Sequence, residues 1–478
     1  MAWRLAARES DPLASSDEPA GAKEAGSRAR SWFLAWLAFL PIVVLRAGTL
    51  TETDTFWQIR TGLLTTSHRA VPTADPFSWT VQGKPWMLNS WGFNVLIAEA
   101  YRLAGLPGVA WACAGLTMVV GGLVLLLARQ LGASAFLAGM LLLLASPLLI
   151  GWLSARPQLA DYAAILVLTI LMGWIAAGHN RVWPVMTVGI VSVVWVNLHA
   201  GELIGVAMIC ACAVLLLARG DLRGGGWCLA AGALALAGSF LNPYGFGVLN
   251  QAAQVQSASS GVIIEWQHLN PGSPLQLAAL AVGLAALTLA ARRRNLIFTG
   301  ELGIAAVGSV IAIRLLPILV LLALPVLAAS ASRPPVLRYL HSRRIVFYLG
   351  LAAGAVVALP SLAHIGRPEP AYYSIKVVND IPPHCRLFNT DLLGGFVILE
   401  RPDVQVSLDT RNNLYGRQLL LAEEQVLAGK GDVTRGLAGA GCVLVPPATG
   451  LALWLRTSQG WKLTASDPVA DLFVRARR

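Results

Sequence analysis

Charge is scarce in this chain: Asp, Glu, Lys and Arg make up 13% of its 478 residues, about half the share of a soluble domain. With 56% hydrophobic residues and a mean hydropathy of +0.63, the sequence excludes an ordinary soluble enzyme and indicates a polytopic membrane protein. Cysteine is equally sparse, at six residues without metal-ligand spacing. No Gly-rich phosphate loop of the P-loop or dinucleotide type follows a predicted strand, so neither a nucleotide cofactor nor a nucleotide-sugar donor is expected. No A-x-A-like cleavage site follows the first apolar run, which is therefore read as retained. The net charge of +11 comes from short Lys and Arg clusters between apolar runs, not from one basic face. That pattern sets orientation in a membrane, and no nucleic-acid partner is expected.

What is present is a series of apolar windows near the length of about 20 residues that a helix needs to cross hydrocarbon. They fall at 32–49, 107–128, 134–153, 157–178, 183–199, 201–218, 227–241, 273–291, 298–313, 314–331 and 345–364, which predicts about eleven transmembrane helices. Residues 1–30, "MAWRLAARESDPLASSDEPAGAKEAGSRAR", lack an apolar stretch and read as a disordered cytoplasmic tail. Residues 31–364 then form the transmembrane domain, with a long first outer loop over 50–106. Lys and Arg counted in alternate loops place Arg129, Arg181, Arg219, Arg223, Arg292 to Arg294 and "SRPPVLRYLHSRR" on the cytoplasmic side. An odd number of spans sends the segment after 364 to the outer side.

The remaining polar residues gather on that outer side. Asp54 and Asp75 lie in the first outer loop; Arg156 opens the fourth window; Asn197, His199 and Glu202 sit between the fifth and sixth. Glu265 precedes the eighth window and Arg314 heads the tenth. A charged group within a span costs about 2.5–3.5 kcal/mol on insertion scales, so such groups pair or line a wet cavity. Their convergence from several segments predicts one solvent-accessible site at the membrane rim. A transporter would instead carry broken helices, internal repeats and polar groups at the midplane.

Beyond residue 365 the composition changes. "RLFNT", "VQVSLD", "GCVLVPP", "GLALWLRTS" and a final "ADLFVRA" strand alternate with helices near "DLLGGFVILE" and from about Arg417 to Leu427. This predicts a small C-terminal α/β extracytoplasmic domain over 365–478. Cys385 and Cys442 both precede predicted strands there, and a disulfide between them is left open by spacing alone.

The order "DTFWQIRTG", "VPTADPFSWTVQGKPWMLNSWGF", "RPQ", "VNLHAG", "NPYG", "EW", "RLLPILVLLALP" and "FNTDLLGGFVILERPDVQVSLDTRNNLYG" resembles a group of bacterial integral membrane proteins that look like glycosyltransferases of the GT-C superfamily. The resemblance runs from about residue 50 to the C-terminus. It implies a GT-C-like enzyme of the bacterial inner membrane that moves a sugar from a polyprenyl-phosphate carrier to a glycan, lipid or protein acceptor at the outer face. Such a protein also contacts membrane lipids.

On this resemblance Asp54 matches the early acidic residue that acts as general base, taking a proton from the acceptor hydroxyl. Its bland role is to cap the helix "TFWQIRTGLL". Glu52 is the nearest alternative base. Arg156 and Arg314 suit the donor phosphate, because guanidinium groups bind phosphate oxygens in a bidentate fashion; His199 is a third donor. Snorkelling of the arginines and plain packing of the histidine are the alternatives. Asp75, Asn197, Glu202, Glu265, Asp409 and Arg411 are candidates for acceptor contact or support. Against this, Asp75 has the context of a structural turn, and Asp409 and Arg411 that of a surface ion pair. Trp57 and Trp79 read as interfacial anchors. Ser90 stands where the family often has an acid, so no second carboxylate is carried over from that loop, and Glu99 is no clear replacement. Glu52, Asp54, Asp75, His199 and Glu265 are too dispersed to form a metal-spacing motif, and a divalent metal stays open. Two other classes also remain: a lipid-linked sugar transporter or flippase, and a non-catalytic envelope assembly protein.

Overall fold

The computed structural model of the chain describes residues 18–178, 180–249, 264–332 and 344–476. These residues are mostly helical, with a small sheet near the C-terminus. Every apolar window of the sequence contains helix, because long straight-chain and Ala-rich runs satisfy their own backbone groups in that form. By length and composition, however, five helices among the described residues are able to cross a membrane: Gly26–Ala47, Trp91–Gln130, Gln158–Ala177, Pro274–Arg292 and Ile313–Ala331. The shorter apolar helices, of 10–17 residues, fall below the roughly 20 residues required, so the expected eleven crossings are not reached on this measure. The polar N-terminal stretch also departs from expectation. Helix occupies Glu18–Leu37, so the second half of the expected disordered tail is ordered, and residues 1–17 lie outside the described residues.

The chain divides into two compact units. The helical unit holds Met1–Gly48, Cys113–Gly245 and Glu265–His364; the mixed unit holds Thr49–Ala112, Phe246–Ile264 and Ile365–Arg478. The boundary between Ala112 and Cys113 falls in the helix Trp91–Gln130, which is interrupted at Ala104 and at Gly105, where φ is +62°. Glycine adopts that conformation without the steric cost other residues meet.

In the helical unit, Glu202–Ala218 packs against Leu222–Ser239 and Leu296–Ile311, while Gln158–Ala177 packs against Val182–Leu198. Basic turns and site residues mark opposite ends of these helices. Arg181 precedes and His199 follows Val182–Leu198; Glu202 starts and Arg219 follows Glu202–Ala218; Arg294 precedes and Arg314 follows Leu296–Ile311.

The mixed unit differs from the expected boundary at residue 365, because residues 49–112 fold together with the C-terminal segment. Strands β1 (Thr49–Leu50) and β2 (Arg367–Pro368) pair in parallel. The main sheet contains β3 (Arg386–Asn389), β4 (Gln405–Val406), β5 (Cys442–Val445), β6 (Trp461–Ser466) and β7 (Asp471–Arg475), in the order β4-β3-β5-β7-β6. Its β3, β4 and β5 members are parallel, and β7 runs antiparallel to both β5 and β6. The α/β character expected from the alternating pattern is therefore present, with "GLALWLRTS" forming the helix Gly450–Thr457. The unbroken apolar run of β5 is buried throughout, and Phe388, Val443, Leu451, Leu455 and Phe473 form the core beside it.

The segment that follows the helix Thr53–His68 covers the β4 edge of this sheet. Trp79 N–H donates to Val406 O (3.0 Å), Val406 N–H donates to Phe77 O (3.2 Å), and the Trp79 indole N–H donates to Leu387 O (3.0 Å). An exposed strand edge would otherwise invite pairing with another chain. Trp79 packs on the core of this unit.

Cys385 and Cys442 form a disulfide that ties the start of β3 to β5 across 57 residues. Replacing both cysteines with serine is expected to cost about 2–5 kcal/mol, read as a lower Tm of the full-length protein in detergent; an unchanged Tm would contradict this. A second expectation comes from Glu423, buried on the helix Arg417–Leu427 and hydrogen-bonded by the Ser407 hydroxyl at 3.1 Å. Burial, then the nearby Asp391, push its carboxyl up to about 8 against the opposing effect of Ser407. Since the unfolded carboxyl titrates near 4.3, the folded state holds the extra proton between these values and stability falls as pH rises through that window. Glu423→Gln should flatten this fall and raise Tm at pH 8 relative to wild type, while leaving the difference at pH 4 small.

Candidate functional site

Two groups of the expected site residues are drawn together, one in each unit. In the helical unit the residues come from helix ends and the short segments beside them. Arg156 lies just before Gln158–Ala177 and forms an ion pair with Glu265 on the 3₁₀ turn Ile264–Trp266. Arg314 lies on the 3₁₀ turn Ile313–Leu315, and its guanidinium stacks 4.3 Å from the centre of the Trp266 ring. The two turns are joined through backbone bonds from Ile313 N–H to Gln267 O (3.1 Å) and from Leu269 N–H to Val310 O (3.1 Å). No carboxylate among the described residues forms an ion pair with Arg314. The buried Tyr162 lies on the helix that Arg156 precedes.

Asp161 extends this cluster. Its Oδ2 lies 2.7 Å from His199 Nδ1, and its Oδ1 accepts from the Trp195 indole N–H at 2.6 Å. His199 is thus a buried histidine held by a carboxylate, which fixes one ring nitrogen and the ring's orientation. Asp161 also lies against Gly201: a Cβ there would sit 2.5 Å from Asp161 Oδ1. Beside it Glu202 is 2% exposed, and neither carboxylate oxygen completes a hydrogen bond among the described residues. Asp161 adds a like charge nearby. An unpaired buried carboxylate costs several kcal/mol, whereas the helix terminus on which Glu202 sits offers typically 0.3–1 kcal/mol. Glu202 therefore needs a proton or a partner.

Asn197 has a structural part. Its amide donates to Val193 O and Leu241 O, both at 2.8 Å, and so secures the end of its helix. The turn "NPYG" is likewise structural, with Asn242 Oδ1 accepting from Tyr244 N–H at 2.8 Å.

The second group lies in the mixed unit. Arg411 is 3% exposed and Asp409 fully buried, so the expected surface ion pair is an interior one. The guanidinium donates through Nε and Nη2 to Asp409 at 2.8 and 2.6 Å, while Nη1 lies 2.8 Å from Asp75 Oδ1. Tyr415 O–H donates to Asp409 Oδ2 at 2.7 Å, and the rings of Trp86 and Phe77 lie 4.5 and 5.1 Å from the guanidinium. Burial works against the charge, yet Asp409 and Asp75 hold the Arg411 pKa well above its ordinary value. Asp75 also accepts from Phe77 N–H (3.2 Å) and Ser78 N–H (3.0 Å), the turn role expected of it.

Asp54 belongs to this second group. It sits in the first turn of Thr53–His68, with Glu52 at the N-cap position, so Asp54 is not the cap. Its Oδ1 accepts from the Thr410 hydroxyl, next in sequence to Arg411, and from the Trp57 indole N–H at 3.1 Å. Trp57 is thus buried and hydrogen-bonded, not an interfacial anchor. Asp391 is a neighbour: burial first, then Asp409 and Asp54, raise its carboxyl above the ordinary range. Ser90 is buried against Asn94, and Glu99 forms an exposed pair with Arg102 (3.3 Å), so neither supplies a carboxylate here.

Asp161, Tyr162, Trp266, Thr410 and Tyr415 are the residues that sequence reasoning passed over. Asp161 alone carried a readable signal, as an acid at the start of an otherwise apolar span. Among the described residues no group of three or more His, Cys, Asp or Glu side chains is arranged to hold a metal ion. No model of a known protein family matches the chain, and no curated protein matches it.

Removing Arg411 would strand Asp75 and Asp409 in the interior. Arg411→Met is expected to cost about 3–5 kcal/mol, the penalty of breaking a buried ion network from one side. Arg314→Met removes no buried pair and should leave Tm nearly unchanged. Comparable Tm losses in both variants would contradict the contrast.

Proposed function

We propose that this protein is a membrane glycosyltransferase of GT-C type, which moves a sugar from a polyprenyl-phosphate carrier to an acceptor outside the cytoplasm. The observation that carries this reading is that Arg314, stacked on Trp266 and without an acidic partner among the described residues, and Arg156, paired with the adjacent Glu265, meet at one 3₁₀ turn of an apolar helical unit. Fixed guanidinium groups at a membrane rim match an anionic headgroup whose lipid tail remains in the bilayer. As the glycosidic bond breaks, charge grows on the departing phosphate, and preset cations stabilise that state more than the starting one. The basic turns at the opposite helix ends support a cytoplasmic orientation for those ends. The Cys385–Cys442 disulfide supports an oxidising compartment for the mixed unit.

In this reading Asp54 takes the proton from the attacking hydroxyl, since its carboxylate is only half-buried and is oriented by Thr410 and Trp57. Asp161 orients His199, and His199 supports the phosphate from its other ring nitrogen. Sugar and acceptor are left unspecified by these residues.

Purified protein incubated with synthetic undecaprenyl-phosphate sugars should release undecaprenyl phosphate. Arg314→Ala is expected to reduce kcat by about 100-fold, in line with the loss of one charge-stabilising donor. Asp54→Ala should reduce it by about 100- to 10,000-fold, the span of general-base contributions, while Ser90→Ala leaves it unchanged. Turnover indifferent to Asp54→Ala would reject the base assignment; movement of intact lipid-linked sugar across vesicles without bond cleavage would favour a flippase.

A further inference from the structure

The mixed unit meets apolar helices at three points of the chain, and its own backbone holds those points side by side. β1 follows the helix Leu40–Ala47 and β2 follows the helix Arg344–Leu362, and the two strands pair with Thr49 beside Arg367 and Leu50 beside Pro368. The third point is the interruption at Ala104 and Gly105, beyond which the apolar run of Trp91–Gln130 continues. Gly366, just before β2, lies against it: a Cβ there would sit 2.4 Å from Pro107 N, closer than a side chain allows. Two of the helices that the chain enters or leaves here, Gly26–Ala47 and Trp91–Gln130, are long and apolar enough to cross a membrane.

Large apolar side chains stand open at this junction. Leu103 is 88% exposed, Tyr372 58% and Ile375 48%. Leu103 comes directly before the interruption. Tyr372 N–H donates to Glu369 O (2.9 Å) and Glu369 N–H donates to Leu50 O (3.1 Å), which ties Tyr372 to β1, and Ile375 begins the helix Ile375–Asn379. Charge of neither sign prevails around them: within 99–103 and 367–380, Arg102, Arg367 and Lys376 are balanced by Glu99, Glu369 and Asp380.

We propose that this junction is a lipid-binding face, seated in the headgroup layer of a phospholipid bilayer with Leu103, Tyr372 and Ile375 directed toward the acyl chains. Removal of apolar surface from water drives such seating, and Tyr suits the boundary because its ring is apolar and its hydroxyl polar. Reach decides for lipid over a partner dissolved in water. Leu106, where the apolar run resumes, is three residues beyond Leu103, a span of at most about 11 Å. The headgroup layer is about 5–8 Å deep on each side of the hydrocarbon, so a soluble partner at Leu103 would have to displace the bilayer that the same chain enters. The balanced charge makes the contact apolar, without the attraction to anionic lipid that a basic cluster supplies. It is independent of sugar transfer.

Photo-crosslinking of the full-length protein in nanodiscs tests this directly. The photoreactive residue p-benzoylphenylalanine is placed singly at Leu103, Tyr372 or Ile375, in variants whose Tm matches wild type, and the adducts formed on irradiation are identified by mass spectrometry. Leu421 and Leu453, exposed on the helices Arg417–Leu427 and Gly450–Thr457, are the controls. Phospholipid adducts should form at the three junction positions and be absent at the controls, with equal yields in phosphatidylcholine and in its mixture with phosphatidylglycerol. Absence of lipid adducts at Leu103 and Tyr372 would overturn the proposal, as would adducts with a second copy of the chain in their place. Equal lipid adducts at all five positions would also overturn it, because no localised face would remain; yields that require phosphatidylglycerol would replace the apolar contact with an electrostatic one and overturn it too.

Discussion

Polar groups removed from water must find partners, and that constraint arranges both halves of this protein. In the helical unit the apolar helices satisfy their backbones internally and offer almost nothing to a polar side chain. Charge is therefore concentrated at helix ends, where Arg156 meets Glu265, Asp161 holds His199 and Trp195, and Arg314 lies on Trp266. The buried Glu301 is the exception away from this end, and it is met by the Thr169 hydroxyl at 2.9 Å. Glu202 stands out against this background because its neighbours leave its demand unmet.

The same constraint explains how the mixed unit joins distant stretches of sequence. A guanidinium buried with two carboxylates and flanked by aromatic rings is stable only while all its members are present. Asp75 comes from the loop after the first window, and Asp409 and Arg411 come from beyond residue 400, so the network makes those segments interdependent. Thr410, held between the last two, reaches Asp54. The orientation of the proposed base thus depends on a residue 356 positions away in sequence.

Much of the architecture was legible because hydropathy and alternation are local properties. The apolar windows located the helices, and the strands at "RLFNT", "GCVLVPP" and "ADLFVRA" appeared where short apolar runs meet turn residues. Crossing number was less legible, since helix length is cut by caps and turns such as Ser134 and Asn295 that hydropathy does not register. Arg156, Glu265, His199 and Arg314 were readable as site candidates because charge is rare near spans. Asp161 was overlooked inside one. Trp57 was misread because an aromatic beside a span suits either a bilayer interface or a protein core, and one of its indole partners, Thr410, lies on a distant segment, as does Leu387 O, which accepts from the Trp79 indole.

The sequence by itself determined that the protein is apolar and mostly helical, that a small α/β region closes the chain, and that a few ionisable residues sit beside apolar runs. Those features depend on composition and on spacing within one segment. Tertiary structure alone decided that Arg411 lies inside with Asp75 and Asp409, that Asp161 rather than solvent satisfies His199, that Cys385 bonds Cys442, and that Glu202 lacks a partner among the described residues. Each of these is a pairing between segments, and the free energy of a buried charge depends on which groups the fold brings beside it.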